Sequence, residues 1–128
     1  MCGICGIFDL KQEKRIDASI IKHMTGKLWH RGPDAENHYI DGNLGYGFTR
    51  LSIIDLAGGM QPLFNEDNSL VLICNGEIFN YIELREELLN KGHRFKTQTD
   101  VEVLLHLYEE YPNGTEFLNR LNGQFSFA

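Results

Sequence analysis

The sequence predicts one domain of α+β or layered α/β class, with antiparallel sheets stacked on each other and covered by helices. Three observations carry this expectation. Two apolar-rich stretches flank Asp41-Gly42-Asn43 and read as a hairpin. Helix-start signals recur at Ile16-Asp17, Phe79-Asn80 and Thr99-Asp100. Only short Gly, Pro and Asn breaks separate these segments, with no repeat, low-complexity tract or linker between them.

Taken in order, Gly3, Ile4, Gly6, Ile7 and Phe8 make an apolar strand on which Cys2 and Cys5 point to opposite faces. Ile20, Ile21, Met24 and Leu28 then recur at helical spacing, with Asp17 as N-cap and Ile16 stapled to Ile21. This helix ends near Trp29, before the loop His30-Arg31-Gly32-Pro33-Asp34. Residues 37 to 42 and 44 to 54 form the hairpin, and 70 to 74 a further strand. Asn75-Gly76 is also the commonest hairpin-turn dipeptide. The helix start that follows, with Asn80 as cap, Glu83 reciprocal to it and Phe79 stapled to Leu84, instead places this pair between a strand end and a helix. Gly92 stops that helix. Residues 93 to 97 read as a short strand, and Thr99-Asp100-Val101-Glu102 opens a capped helix with Val101, Leu104, Leu105 and Tyr108 on one face. After the break at Pro112-Asn113-Gly114, a short helix over 115 to 121 precedes an apolar segment at 125 to 128.

With 128 residues the chain is long enough to bury roughly two thirds of its unfolded surface. A net charge of −6 without basic runs argues against nucleic acid or a membrane surface as partner. No apolar run spans a bilayer and no signal-like segment directs export, while three cysteines without framework spacing suit a reducing cytoplasm. His30, His93 and His106 lack ligand spacing, so no metal is expected.

Cys2 carries the most chemistry. Removal of Met1, which the small Cys2 side chain permits, would leave a thiol and a free α-amine on one residue. Such an amine titrates at about pH 8 and a thiol at about 8.5, so a neutral amine can take the thiol proton while sulfur attacks a carbonyl. Cys2 and Cys5 also form a C-x-x-C, a pattern used by zinc sites and redox dithiols. A structural zinc site wants four ligands, and only Cys74 remains, alone in an apolar run. Cys5 and Cys74 are therefore expected as buried small hydrophobes. Spacing alone leaves the nucleophile, zinc and redox readings of Cys2 all standing.

Six segments occur in order: M-C-G-I-C-G-I at 1 to 7, H-R-G-P-D at 30 to 34, R-L-S-I-I-D at 50 to 55, G-G-M-Q-P at 58 to 62, N-G-E-I-F-N-Y at 75 to 81 and T-D-V-E-V-L-L at 99 to 105. Together they resemble the glutaminase domain of the class II glutamine amidotransferases, most closely the asparagine synthetase type. The resemblance covers essentially the whole chain. It implies an N-terminal-nucleophile hydrolase fold, a four-layer αββα sandwich, and hydrolysis of the side-chain amide of L-glutamine to glutamate and ammonia. That step needs no cofactor; ATP and Mg are implied only for a synthetase domain, acting in cis or trans, that would use the ammonia to make asparagine from aspartate. Residues 1 to 128 would be the first part of the glutaminase domain, ending on an open sheet edge. Cytoplasmic location and a homodimer are further expectations.

Residue by residue, the matched motifs imply that Cys2 is the nucleophile, with its own α-amine as base and then as acid. Asn75 Nδ2 and the Gly76 N–H would hold the oxyanion. Arg50 would grip the substrate α-carboxylate and Asp100 its α-ammonium, with Leu51, Ile53, Ile54 and Glu77 completing the glutamine pocket. Other readings stand beside these: Asp100 as first-turn helix charge, Asn75-Gly76 as turn chemistry, and Arg31 and Asp34 as braces of the 30 to 34 loop against Cys2. Phe48 stands where relatives commonly carry histidine. Two other functional classes remain open, a non-catalytic glutamine-binding or interaction module and a C-x-x-C redox module.

Overall fold

The computed structural model describes residues 1–111 and 114–128, so Pro112 and Asn113 of the expected break lie outside the described residues. Strands β1 (Gly3–Phe8), β2 (Ala35–Asp41) and β3 (Leu44–Arg50) form an antiparallel sheet in the order β1-β3-β2. The β2–β3 hairpin turns through Gly42 at φ +54°, a left-handed conformation that glycine adopts without strain. Helix α1 (Ala18–Lys27) begins as the sequence indicates, the Asp17 carboxylate accepting from Ser19 N at 2.8 Å. Ile16 and Ile21 meet over Gly45, where a Cβ would lie under 3 Å from both side chains.

The second layer is two short ladders rather than one continuous sheet. β4 (Leu63–Phe64) pairs with β5 (Val71–Leu72), and β6 (Cys74–Ile78) with β7 (Gly123–Phe127), each antiparallel. Helices α2 (Tyr81–Asn90) and α3 (Val103–Glu110) cover this layer, and 3₁₀ turns occupy Trp29–Arg31 and Glu116–Arg120. Gly92, at φ +102°, ends α2.

Alternation along β3 sets the layering. Gly45, Gly47 and Thr49 face α1: a Cβ at Gly47 would meet Thr25 Oγ1, and Thr49 Oγ1 donates to Leu28 O at 3.2 Å. The other face carries Tyr46, Phe48 and Arg50, with Tyr46 and Ile4 looking across a cleft at Ile73 and Ala128 of the second layer. Leu72, Cys74 and Ile78 in turn pack against Leu84, Leu88, Leu104 and Leu107 of the outer helices and against Phe117. The order is thus helix, sheet, paired ladders, helices. Among the described residues, no helix is long and apolar enough to cross a membrane.

Several expected elements change where side chains take the backbone amides. β3 stops at Arg50, short of residue 54, because Leu51 N donates to Cys2 Sγ and Ser52 N to Asp34 Oδ2. Residues 93 to 97 form no strand. Arg94 N goes to Glu66, and Lys96 N and Thr97 N go to the Glu102 carboxylate at 2.6 and 2.8 Å. Asn80 precedes α2 but does not cap it with its side chain, which instead bridges Arg120 O and Asn122 N. Phe79 is exposed rather than stapled to Leu84, and Cys5 is half-buried. The largest change concerns Asn75-Gly76, which lies inside β6 rather than between a strand end and a helix start.

Candidate active site

Register brings Cys2 and Arg50 together. β1 pairs with β3 so that Gly3 faces Thr49, which puts the preceding Cys2 across from Arg50. Both border one cavity, and Phe48, 1% exposed, forms part of its wall. Cys2 Sγ accepts from Leu51 N at 3.4 Å and donates to Leu51 O at 3.6 Å. Arg31 Nε donates to the Cys2 carbonyl at 3.0 Å, and Asp34 accepts from Ser52 N at 2.7 Å, so this loop braces the strand that begins after Cys2. Cys5 lies on the opposite face, its sulfur 3.6 Å from Thr25 Oγ1.

The β6 edge supplies the other wall. Ile73 and Ala128 exchange both backbone hydrogen bonds, at 3.0 Å each. In an antiparallel ladder such pairs alternate, so Asn75 and Glu77 turn their amides toward β7, whereas Cys74, Gly76 and Ile78 turn theirs away. Two of those three amides are taken. Cys74 N donates to Gln61 Oε1 and Ile78 N to Asp100 Oδ2 at 2.7 Å. Among the described residues, the Gly76 N–H between them has no such partner, and Gly76 borders the cavity that holds Cys2. A Cβ here would lie 2.4 Å from Gln124 O and 2.5 Å from Phe125 Cα, so the ladder admits only glycine. Cys74 and Ile78 point into the helix-covered core, which leaves the alternating Asn75 and Glu77 on the face toward the first sheet. Asn75 Oδ1 is buried without a hydrogen-bond partner among the described residues.

Along residues 1–128 the chain matches the glutamine amidotransferase domain family. It belongs to that family. It is 46% identical over 130 residues to asparagine synthetase [glutamine-hydrolyzing] 2 of Bacillus subtilis (strain 168), covering 100% of this chain and 17% of the relative. It is also 43% identical to asparagine synthetase [glutamine-hydrolyzing] 1 of Arabidopsis thaliana, over 100% of this chain and 21% of the relative. The chain therefore spans about a fifth of these relatives. Among solved structures, the glutamine phosphoribosylpyrophosphate amidotransferase of B. subtilis superposes with a TM-score of 0.75 at 23% identity, covering 99% of this chain and 34% of that one. An allosteric regulatory enzyme of purine biosynthesis gives 0.58 at 27% identity, over 98% and 28%. The α+β N-terminal-nucleophile hydrolase architecture is thus shared across amidotransferases with little sequence in common.

All the residues singled out from the motifs line the same cavity: Cys2, Arg50, Leu51, Ile53, Ile54, Asn75, Gly76, Glu77 and Asp100. Arg50 is 8% exposed and its Nη2 donates to the carbonyls of Ile54 and Asp55, so it shapes the 51 to 55 loop as well as charging the cavity. Burial raises the Asp100 pKa, although the Ile78 N–H pulls the other way. Burial likewise pushes the Cys74 thiol up to about 12, leaving it inert.

Three residues escaped the sequence reading. Gln61 acts as a false strand residue, accepting from Cys74 N and donating to Cys74 O at 3.0 Å. Asp55 fastens the loop over the cavity, accepting from Gly58 N at 3.0 Å and Gln98 N at 2.9 Å. Gly59, at φ +69°, lets that loop approach Thr99 and Arg50, where a Cβ would collide with Thr99 Cγ2. The G-G-M-Q-P segment marked the region, but nothing in it reveals side-chain pairing with a strand 13 residues on.

Proposed function

We propose that this chain hydrolyses the side-chain amide of L-glutamine, and that the ammonia released serves asparagine synthesis in an associated synthetase domain. The observation that carries the reading is the unpaired Gly76 N–H, sealed between two side-chain-held amides on the edge facing Cys2. A strand edge with one free donor beside a thiol is what a tetrahedral oxyanion requires.

In this reading Cys2 Sγ attacks the amide carbon and its α-amine, freed by loss of Met1, takes the thiol proton. The C=O pair becomes an oxyanion held by Gly76 N–H and Asn75 Nδ2. The amine returns the proton to nitrogen, the C–N bond breaks and ammonia leaves. Water then cleaves the thioester to glutamate and restores the thiol. Arg50 and Asp100 bind the α-carboxylate and α-ammonium, opposite charges that select an amino acid over other amides. No step needs a cofactor, and ATP and Mg would belong to the synthetase chemistry, outside these residues.

The test is glutamate release by the Met1-free chain, compared with Asn75→Ala. Losing one oxyanion donor should lower turnover by about 10²- to 10³-fold and leave KM nearly unchanged, since the donor acts in the transition state. An unchanged turnover number removes Asn75 from the chemistry. Non-catalytic glutamine binding has a separate signature: calorimetric binding by the Met1-free chain with no glutamate formed.

A further inference from the structure

Away from the cavity, Glu66 of the β4–β5 turn, His93 after α2, and His106 and Glu109 on α3 each bring one donor atom to within 4.8 Å of the others. His106 Nδ1 lies 3.1 Å from Glu109 Oε2 and 3.3 Å from Glu66 Oε2, and His93 Nδ1 lies 3.5 Å from Glu109 Oε2. Four donors placed tetrahedrally about 2.0–2.1 Å from a metal are separated by about 3.3–3.4 Å. Three of the six spacings, at 3.1, 3.3 and 3.5 Å, bracket that edge length, and all lie within 4.8 Å.

The surrounding contacts orient every donor. His93 Nε2 is 3.2 Å from Glu110 Oε1 and His106 Nε2 is 3.7 Å from Glu102 Oε1. His93 therefore backs onto a carboxylate with Nε2 and turns Nδ1 inward, the arrangement that keeps the proton on the outer nitrogen and the lone pair toward a metal; His106 also turns Nδ1 inward, with its Nε2 beyond hydrogen-bond distance of Glu102. Glu66 Oε1 accepts from Arg94 N at 2.8 Å and also lies 3.3 Å from His93 Nδ1, while its Oε2 faces His106; Glu109 Oε1 accepts from Asn65 Nδ2 at 2.9 Å, leaving its Oε2 facing both histidines. His106 is 0% exposed, and its Nε2 has no partner within hydrogen-bond distance among the described residues. Among the described residues, no Lys or Arg forms an ion pair with Glu66, Glu102 or Glu109; Lys91 pairs with Glu110 at 2.6 Å. The carboxylates of Glu66, Glu102 and Glu109 thus surround the two imidazoles without a Lys or Arg partner among the described residues.

We propose that Glu66 Oε2, His93 Nδ1, His106 Nδ1 and Glu109 Oε2 bind one zinc-class divalent cation in a closed, structural site. Two imidazole nitrogens disfavour Ca²⁺ and Mg²⁺, which take oxygen ligands. Four protein donors leave no open position for catalysis. The ion clamps the β4–β5 turn and the link after α2 onto α3. Glu102, one helical turn before His106, separately holds Lys96 N and Thr97 N, so the site lies beside the segment that carries Thr99 and Asp100 to the cavity. The site stands whether or not the chain hydrolyses glutamine.

The experiment strips the chain with a chelator, titrates it with ZnCl₂ by calorimetry, and follows thermal unfolding of both forms. One equivalent should bind, Tm should rise with zinc concentration, and cobalt(II) should give the intense visible bands of four-coordinate geometry. Glu66→Gln and His93→Gln, at positions with partial exposure, should keep the far-UV spectrum and lose the zinc-induced rise in Tm. Glu110→Gln, which spares all four ligands but neutralises the carboxylate behind His93 and disrupts the Lys91 pair, should weaken binding by about 10- to 100-fold. Zinc binding must survive in Cys2→Ser and Cys5→Ser, which excludes the thiols as the ligands. Equal Tm with and without zinc, a six-coordinate cobalt spectrum, retention of binding in Glu66→Gln/His93→Gln, or its loss in the cysteine variants overturns the proposal.

Discussion

Cys2 and Cys74 show how position decides reactivity for one side-chain type. Cys2 opens onto the cavity beside Leu51 N, whereas Cys74 is 1% exposed, with its thiol pushed up to about 12 by burial and by the nearby Asp100 and Cys2 charges. A diazoketone mimic of glutamine should therefore alkylate Cys2 alone, and only on chains that have lost Met1. Peptide mapping that finds the adduct on Cys5 or Cys74 contradicts the assignment. In the proposed reading, Asp100 joins stability to binding. Its folded pKa is raised by burial, with Glu77 adding to the effect. The folded chain thus holds this proton more tightly than the unfolded one, so the group favours folding below the unfolded pKa of about 3.9 and that contribution is lost as pH rises through the folded value. Asp100→Asn keeps an acceptor for Ile78 N and should abolish this loss, gaining stability relative to the parent as pH moves from 4 to 7 in urea titrations. The same variant should weaken glutamine binding by roughly tenfold or more, because a charged hydrogen bond to the α-ammonium disappears. Weaker stability of Asp100→Asn at both pH values would contradict the burial argument.

Strand β6 is the element on which the site depends, since it carries Asn75, Gly76 and Glu77 and its free edge is sealed by Gln61 on one side and Asp100 on the other. Gln61→Leu strips partners from both Cys74 N and Cys74 O. Two buried backbone groups left unsatisfied should cost about 2–4 kcal/mol in urea unfolding, and amide exchange at Cys74 should quicken. A cost below about 0.5 kcal/mol would show that β7 alone holds the strand. This pairing explains what the sequence disclosed and what it hid. α1 and the β2–β3 hairpin were readable because Asp17, Ile21 and Asp41-Gly42 act on neighbours within a few residues. Asn75-Gly76 was not, because its strand character comes from Ser126 and Phe125 of β7, about fifty residues away. The apparent strand at 93 to 97 failed for a related reason, its amides being taken by Glu66 and Glu102. His93 and His106 lie 13 residues apart with no ligand spacing between them, yet their rings come within 5.0 Å when the α2–α3 link folds back. The matched motifs marked the cavity lining because chemistry restricts residue type there; Asp55 and Gln61 fall within those motifs, but their work is on backbone groups distant in sequence, which the motifs do not disclose.

At the scale of the whole molecule, the cavity lies between layers, Cys2 and Arg50 coming from one and Asn75 and Gly76 from the next. The outer face of the first sheet does different work: it seats α1 closely enough that glycine is obligatory. A Cβ on Gly47 would lie 1.9 Å from Thr25 Oγ1 and 2.8 Å from Cys5 Sγ. Thr25 cannot swing aside freely, because it is fully buried and its hydroxyl donates to Ile21 O at 2.7 Å. Gly47→Ala should therefore push α1 off the sheet at a cost of about 1–3 kcal/mol. Thr25→Ala removes the colliding oxygen, and in the double variant the two methyl groups share the vacated space. The pair should be non-additive, the double variant recovering about 1 kcal/mol or more of the summed losses in thermal or urea unfolding. Because the strain is confined to the α1 side, folded Gly47→Ala should retain the parent KM for glutamine well below its melting temperature. Strict additivity would show that α1 does not rest on Gly47 at this contact, and a raised KM would show that strain crosses the sheet into the cavity.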